Sequence, residues 1–346
     1  MNLEVEEIRS MSRLAGQEEQ WSDVLATSQE DRLFLKLPWL KAWWDVYGED
    51  RGMLVLKVLE DGRAVGYAPL MVTSRGKVVR WKKLQFIGSG PSDRCGIIAK
   101  DGREDVHRAI WDYIQTKADW DVIELRDMMT GGPTDGAVRS AFPYAEIAHQ
   151  PSPYIPLQCD YGTYVGNLSK NMRGNLSRYW RKLQEEGATF QAWRTKDDVQ
   201  RGVKVLKELS DQRWDFSNVL KGPGMMSFVD RASRELAKEG SVVFHALTIK
   251  EEPVAITMGF EDDGRYMYYL SGFGPQQAKN SPGSILLSKI IEDCCTRGKR
   301  EVDLLRGDEA YKYRFNARDR EQAHMRTVNR GLLRSAGYAL REAPLS

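Results

Sequence analysis

Residues Tyr268 to Phe315 read YYLSGFGPQQAKNSPGSILLSKIIEDCCTRGKREVDLLRGDEAYKYRF, and this stretch decides the fold. It parses as a strand from Arg265 to Phe273, a loop rich in Gly and Pro, a helix from Pro282 to Arg297 and a second strand from Glu301 to Leu305. Ser281 is placed to cap the helix, Pro282 suits its first position, and Gly298 can end it. Leu286, Ile290 and Cys294, with Leu287, Ile291 and Cys295 beside them, make an apolar stripe at helical spacing. Two strands joined through a helix pair in parallel, almost always with a right-handed crossover. The loops after both strands then share one sheet edge, where α/β proteins place ligands. Phe273-Gly274-Pro275 and Arg306 to Lys312 are therefore expected to face each other across one cleft.

Further from this stretch, Val242 to Lys250 and Val254 to Glu261 read as a hairpin turning at Glu251-Glu252, with a strand at Thr189 to Trp193 and a helix at Val199 to Arg213 before it. A basic helix is expected from Val165 to Glu186. The N-terminal half reads as a helix at Pro38 to Tyr47 and strands at Met53 to Glu60 and Ala64 to Thr73, joined by the hairpin signal Asp61-Gly62. A strand near Trp81 to Ile87, the loop Gly88 to Gly96, a helix at Asp105 to Lys117 and a strand at Val122 to Leu125 follow. Gln150 to Pro156, with prolines at 151, 153 and 156, is the expected linker. The expected domains are thus 1–150 and 151–346, and Arg320 to Tyr338 should add a last strand and a short helix.

Composition narrows the function classes. The chain has 346 residues, 41% hydrophobic and 29% charged, enough for two domains of an ordinary globular protein. A net charge of +2 creates no field that draws nucleic acid or membrane surfaces in general. No apolar run reaches transmembrane length and MNLEVEEIRSMSR lacks a signal-peptide core, so a cytoplasmic location is the expectation. Cys95, Cys159, Cys294 and Cys295 have no metal-site spacing and form no disulfide framework. His107, His149, His245 and His324 are scattered without a zinc pattern, so no metal is expected.

Ser271-Gly272-Phe273, Ser281-Pro282-Gly283, Leu305-Arg306-Gly307-Asp308-Glu309 and Tyr311-Lys312, in this order and spacing, resemble the CelD/BcsL-type acetyltransferases of the GNAT superfamily. Those are often found near exopolysaccharide or cellulose synthesis. More distantly, Tyr311-Lys312-Tyr313-Arg314-Phe315 is similar to the ending of Fem-type aminoacyl transferases. The likeness extends to Phe34 to Gly48, Pro91-Ser92-Asp93 and Leu168 to Gly187. It implies an α/β fold of two tandem GNAT-like units, each a mixed twisted sheet flanked by helices, with the acyl-donor site in the second. The implied reaction is direct attack of an amine, of sugar or amino-acid type, on an acetyl- or acyl-coenzyme A thioester. Two alternatives remain: Fem-type transfer from aminoacyl-tRNA, and a non-catalytic scaffold of an envelope-polysaccharide pathway.

Carried onto this chain, the resemblance has Leu270, Ser271 and Gly272 line the pantetheine arm, while Ser281, Gly283 and Ser284 meet the phosphates at the helix N-terminus, whose unpaired N–H groups suit an anion. The usual phosphate loop of the superfamily, Gln/Arg-x-x-Gly-x-Gly/Ala, is absent. Asp308 and Glu309 are the candidate bases for the substrate ammonium; salt bridges to Arg306, Lys312 or Arg314 are the bland account. Lys312, with three donors, suits a phosphate or a developing oxyanion. Arg306 can clamp an anion or pair with Asp308. Tyr311 and Asp93 are further substrate-side candidates, Asp93 against a turn-stabilising role. The basic helix with Lys170, Arg173, Arg178, Arg181 and Lys182 either meets phosphates or is a solvated face. His245, Trp39, Trp43 and Trp44 read as core.

Overall fold

A computed structural model describes residues 3–75, 81–158, 160–212, 219–262 and 264–329. Contacts divide the chain into Met1–Gln150 with Glu321–Ser346, and Pro151–Arg320. Cys159 and the helix expected near residue 338 fall outside the described residues.

The first unit runs β1 (Leu3–Ile8), α1 (Met11–Ala15), α2 (Glu18–Ala26), α3 (Leu37–Tyr47), β2 (Arg51–Glu60), β3 (Arg63–Arg75), β4 (Trp81–Phe86), β5 (Ile98–Ala99), α4 (Glu104–Thr116), β6 (Val122–Met129), α5 (Pro133–Ala141) and β7 (Glu146–Pro151). The second holds β8 (Tyr154–Pro156), α6 (Tyr161–Gly166), α7 (Lys170–Glu185), β9 (Ala188–Trp193), α8 (Lys196–Asp211), α9 (Met225–Ala237), β10 (Val242–Ile249), β11 (Glu252–Asp262), β12 (Arg265–Phe273), α10 (Pro282–Thr296), β13 (Glu301–Asp303) and α11 (Ala310–Arg314). The last strand is β14 (Glu321–Val328).

The first sheet has the order β1-β2-β3-β4-β6-β14-β7, with β5 on β3. Asp61 and Gly62 turn β2 into β3 with φ of 48° and 77°, as the hairpin signal requires. Of the three tryptophans expected in the core, Trp39 and Trp43 are buried on α3 and Trp44 is half-buried. The units part between Gln150 and Pro151, but β14, expected in the second unit, pairs with β6 from Gln322 on Met129 to Val328 on Val122 and so belongs to the first. The division falls within the expected linker, which is partly strand. Pro151 ends β7 and Pro156 ends β8, both at the ends of their sheets, where a missing N–H is tolerated.

The second sheet has the order β8-β13-β12-β11-β10-β9. Neighbours on β10 point to opposite faces: His245 meets Asp293 of α10 at 3.6 Å, while the Phe244 ring lies under Gly202 of α8. A Cβ at Gly202 would fall 2.3 Å from that ring, so only glycine lets α8 approach. The expected basic helix is two helices. Ser169 caps α7 at the break through the Met172 amide, and Arg173 donates to the Gly166 and Leu168 carbonyls. The β10–β11 turn sits at Lys250-Glu251, one residue before its expected place, with both residues at positive φ. Among the described residues, no helix is long and apolar enough to cross a membrane.

Candidate active site

Strand β12 is held between two unequal neighbours. It pairs with β11 over its whole length, but with β13 only at Arg265–Glu301, Tyr266–Val302 and Met267–Asp303. Just past that point the β11 register slips, Met258 opposing Leu270 while Gly259 opposes Tyr268, which leaves Tyr269 as an extra residue. Such a bulge bends its strand and strengthens the local twist. The sheet therefore opens into a V where β12 leaves β13.

Strand β13 is turned away by its own last residue. The fully buried Asp303 carboxylate accepts the Leu305 amide at 2.9 Å, an Asx-type turn that accommodates Leu305 at a φ of 57°. The chain beyond stays bonded to the β8 side, with Leu304 N–H on the Pro153 carbonyl and Gly307 N–H on that of Pro151. Sequence reasoning passed over Asp303 and Tyr269. The Asp303 carboxyl two residues before a turn was a legible signal, whereas the bulge depends on register with β11.

The loop that follows is closed by Lys312. This side chain is buried, and its ammonium donates to the carbonyls of Leu305 at 3.3 Å, Arg306 at 2.7 Å and Gly307 at 3.1 Å, with Glu309 ion-paired at 3.0 Å. Three N–H groups are thus spent inside the loop. The expected oxyanion role for Lys312 is corrected: its donors hold the backbone. Glu309 is drawn to the same ammonium. Asp308 differs, being exposed, and among the described residues its carboxylate has no ion pair, so the expected Arg306–Asp308 pair does not form. Arg306 is half-buried.

Tyr311 comes from α11 toward Tyr268 of β12. Burial pushes the Tyr311 phenol well above its usual range, and the nearby Tyr268 and Glu309 push it the same way. Burial also raises Tyr268, against the pull of the Ser271 and Thr257 hydroxyls. Beyond the bulge Leu270 is half-buried, Ser271 exposed and Gly272 buried. A Cβ at Gly272 would stand 3.4 Å from the Leu209 Cβ of α8, an ordinary contact.

At the start of α10, Ser281 caps through its backbone. It adopts a left-handed φ of 47°, makes no side-chain cap bond, and its carbonyl receives the Ser284 and Ile285 amides. Ser281 is thus the N-cap, as expected, whereas the expected free Ser284 amide is corrected, since it is spent on the Ser281 carbonyl. Gly283 packs on Phe273, to which a Cβ would stand 3.5 Å. The helix ends as its sequence implies: Gly298 has φ 68°, its amide on Cys295 and the Lys299 amide on Cys294, a Schellman closure.

Asp93 is buried in the first unit, where the Gln322 side-chain amide donates to its carbonyl. The first unit has its own parting, since β4 and β6 pair only at Lys83–Val122 and Leu84–Ile123. There the loop after β4 returns to fill the gap: Cys95 N–H donates to the Asp127 carbonyl at 2.9 Å, and the buried Arg94 pairs with Asp31. Among the described residues no backbone hydrogen bond joins residues 274–281 to 304–309 in the same way.

His245, Glu261 and Asp293 bring potential metal-ligand atoms within 4.8 Å of one another. Both carboxylates, however, are bonded by Arg297, and Glu261 also by Arg194, so guanidinium groups already supply their positive partner.

Residues 170–313, all in the second unit, match the family described as Acetyltransferase (GNAT) domain. No curated protein sequence matches the chain. Among solved structures, FemX aligns with a TM-score of 0.64 at 10% identity, covering 97% of this chain and 99% of that one. A tandem GNAT protein from the clavulanic acid biosynthesis pathway aligns at 0.53 and 11% identity, covering 94% and 98%. The C-terminal domain of a putative lysylphosphatidylglycerol synthetase from Agrobacterium fabrum aligns at 0.56 and 12% identity, covering 94% and 95%. At these identities the likeness is one of fold, that of two tandem α/β units like those of the tandem GNAT protein, and the match to the GNAT domain family is confined to residues 170–313 of the second.

Proposed function

We propose that the protein is an N-acyltransferase of the cytoplasm, moving an acetyl or acyl group from coenzyme A to an amine of sugar or amino-acid type. The observation that carries this reading is the parting of β12 from β13 at Met267–Asp303, with a bulge at Tyr269. An extended pantetheine arm, with its two amides, suits the strand edge from Tyr268 to Gly272 as a missing neighbour does. The anionic end of the donor is then served by the Gly283 amide in the first turn of α10.

In this reading the substrate amine nitrogen attacks the thioester carbon and the C–S bond breaks after a tetrahedral intermediate. Coenzyme A leaves as the thiol. Asp308 takes the proton that the nitrogen sheds, directly or through water, and the leaving sulfur receives one. Lys312 and Asp303 act at a distance by fixing the loop that presents Asp308. The match to the GNAT family supports acyl transfer, and the CelD/BcsL-like motifs favour an acceptor of the polysaccharide type.

Titration calorimetry with acetyl-coenzyme A tests the donor. Saturable binding is expected, weakened at least tenfold by Ser271→Trp, which fills the opening. Failure to bind acyl-coenzyme A, alongside tight binding of an aminoacyl-tRNA, would overturn the proposal in favour of Fem-type transfer.

A further inference from the structure

The pairing of β12 with β11 slips between Met258 and Gly259, and the β11 residue at that step is a glycine. Its φ is not left-handed, so the backbone does not call for glycine there. Space does. A Cβ at Gly259 would overlap the ring and the hydroxyl of Tyr266. Tyr266 stands opposite Glu261, two residues along β11, so its ring lies diagonally across that strand. An aromatic ring laid over a strand glycine fills the place of the absent side chain.

Tyr266 is fully buried and reaches beyond β11. Its hydroxyl is hydrogen-bonded with His245 Nδ1 of β10 at 3.2 Å, and the two rings meet edge to face with centroids 5.2 Å apart. His245 in turn stacks on Phe190 of β9 at 5.4 Å between centroids. One side chain of β12 thus grips β11 and β10 together, on the face that carries α10. On its other side Tyr266 pairs with Val302 of β13, and the next rung, Met267 with Asp303, is the last before the strands part.

This contact bears on register. Side chains alternate faces along a strand, so a slip of β12 by one residue against β11 would carry Tyr266 to the opposite face of the sheet. The slot over Gly259 therefore accepts the ring in one register only. In that register Tyr268 falls opposite Gly259 and Leu270 opposite Met258, with Tyr269 left over.

We propose that Tyr266 is a positioning residue for the donor site: seated on Gly259 and tied to His245, it fixes the register that puts the bulge at Tyr269, and thereby the opening between β12 and β13. Tyr266 is buried beneath the opening and acts through the strands. This role rests on the proposal that the opening receives the acyl donor.

Titration calorimetry with acetyl-coenzyme A, on the wild type and on folded variants, tests the role. Tyr266→Leu removes the ring and should weaken binding about tenfold. Gly259→Ala expels the ring and should do the same. The double variant should lose about tenfold as well, rather than the roughly 100-fold of two independent effects, because both changes break one contact. Tyr266→Phe keeps the ring on Gly259 and should retain wild-type affinity. Val229→Ala, equally buried but on α9, should lower the urea midpoint and leave the affinity unchanged, which separates positioning from loss of stability. If Gly259→Ala does not fold, Tyr266→Leu against Tyr266→Phe decides alone. Wild-type affinity in Tyr266→Leu, losses that multiply in the double variant, or equal losses in Tyr266→Leu and Tyr266→Phe would each overturn this role and leave the donor site standing. No binding by the wild type would overturn both.

Discussion

The Lys312 ammonium lies 2.7 Å from the Arg306 carbonyl oxygen and bonds the carbonyls on either side of it, so a buried charge is solvated by the loop that it closes. An ammonium buried in this way is stable only while all its donors are used, and the loop keeps its shape only while the ammonium is there. The motif lysine is therefore part of the backbone's support.

Lys312→Met should accordingly destabilise the protein by about 3 kcal/mol, the scale of losing charge-assisted bonds to buried carbonyls. Urea unfolding measures this. A lysine acting only on substrate would lose turnover with no change in the unfolding midpoint, and that outcome would remove the supporting role.

Asp303 makes a second, separable prediction. Asp303→Ala leaves the Leu305 amide without its acceptor and should cost about 2 kcal/mol. Asp303→Asn retains an oxygen at the same place and should cost less than half as much. Equal losses in the two variants, compared by urea midpoint, would show that the buried charge rather than the turn is what matters.

His107 sets a pH dependence. Burial lowers its pKa from 6.5 to about 4 in the folded chain. Between these values the unfolded chain binds the proton and the folded chain does not, so stability is full above pH 6.5 and falls as the pH drops toward 4. The loss should approach about 3 kcal/mol. His107→Phe should flatten that portion of the profile of unfolding free energy against pH; an unchanged slope would place the effect on other groups.

These features differ in how far the chain reveals them. The limits of α10 were legible because Pro282 and Gly298 act on their immediate neighbours. α9 carried an ordinary stripe in Met225, Phe228, Val229, Ala232 and Leu236, and it was overlooked rather than hidden. The place of β14 was not legible, since its register on Val122 to Met129 pairs residues about two hundred positions apart. Lys312 was read from its chemistry, but its burial follows from left-handed backbone at Leu305 and Gly307, which folds three carbonyls toward one point. In the site, residue types were readable and the assignment of each donor was not.

Asp308 is the carboxylate of the loop left for chemistry, and its replacement should separate catalysis from folding. Glu309 is held by Lys312 at 3.0 Å, whereas Asp308 is exposed and unpaired among the described residues. Asp308→Asn should leave the urea midpoint unchanged, because no contact is lost. It should lower kcat/KM about 100-fold, the usual scale of a general base, in a thiol-release assay with acetyl-coenzyme A and a panel of amino sugars and amino acids. Glu309→Gln should do the reverse, costing at most about 1 kcal/mol of stability as a half-exposed ion pair does, with the rate retained. If Asp308→Asn keeps the rate, the proton goes elsewhere, and Asp308 is only a solvated residue at the mouth of the opening.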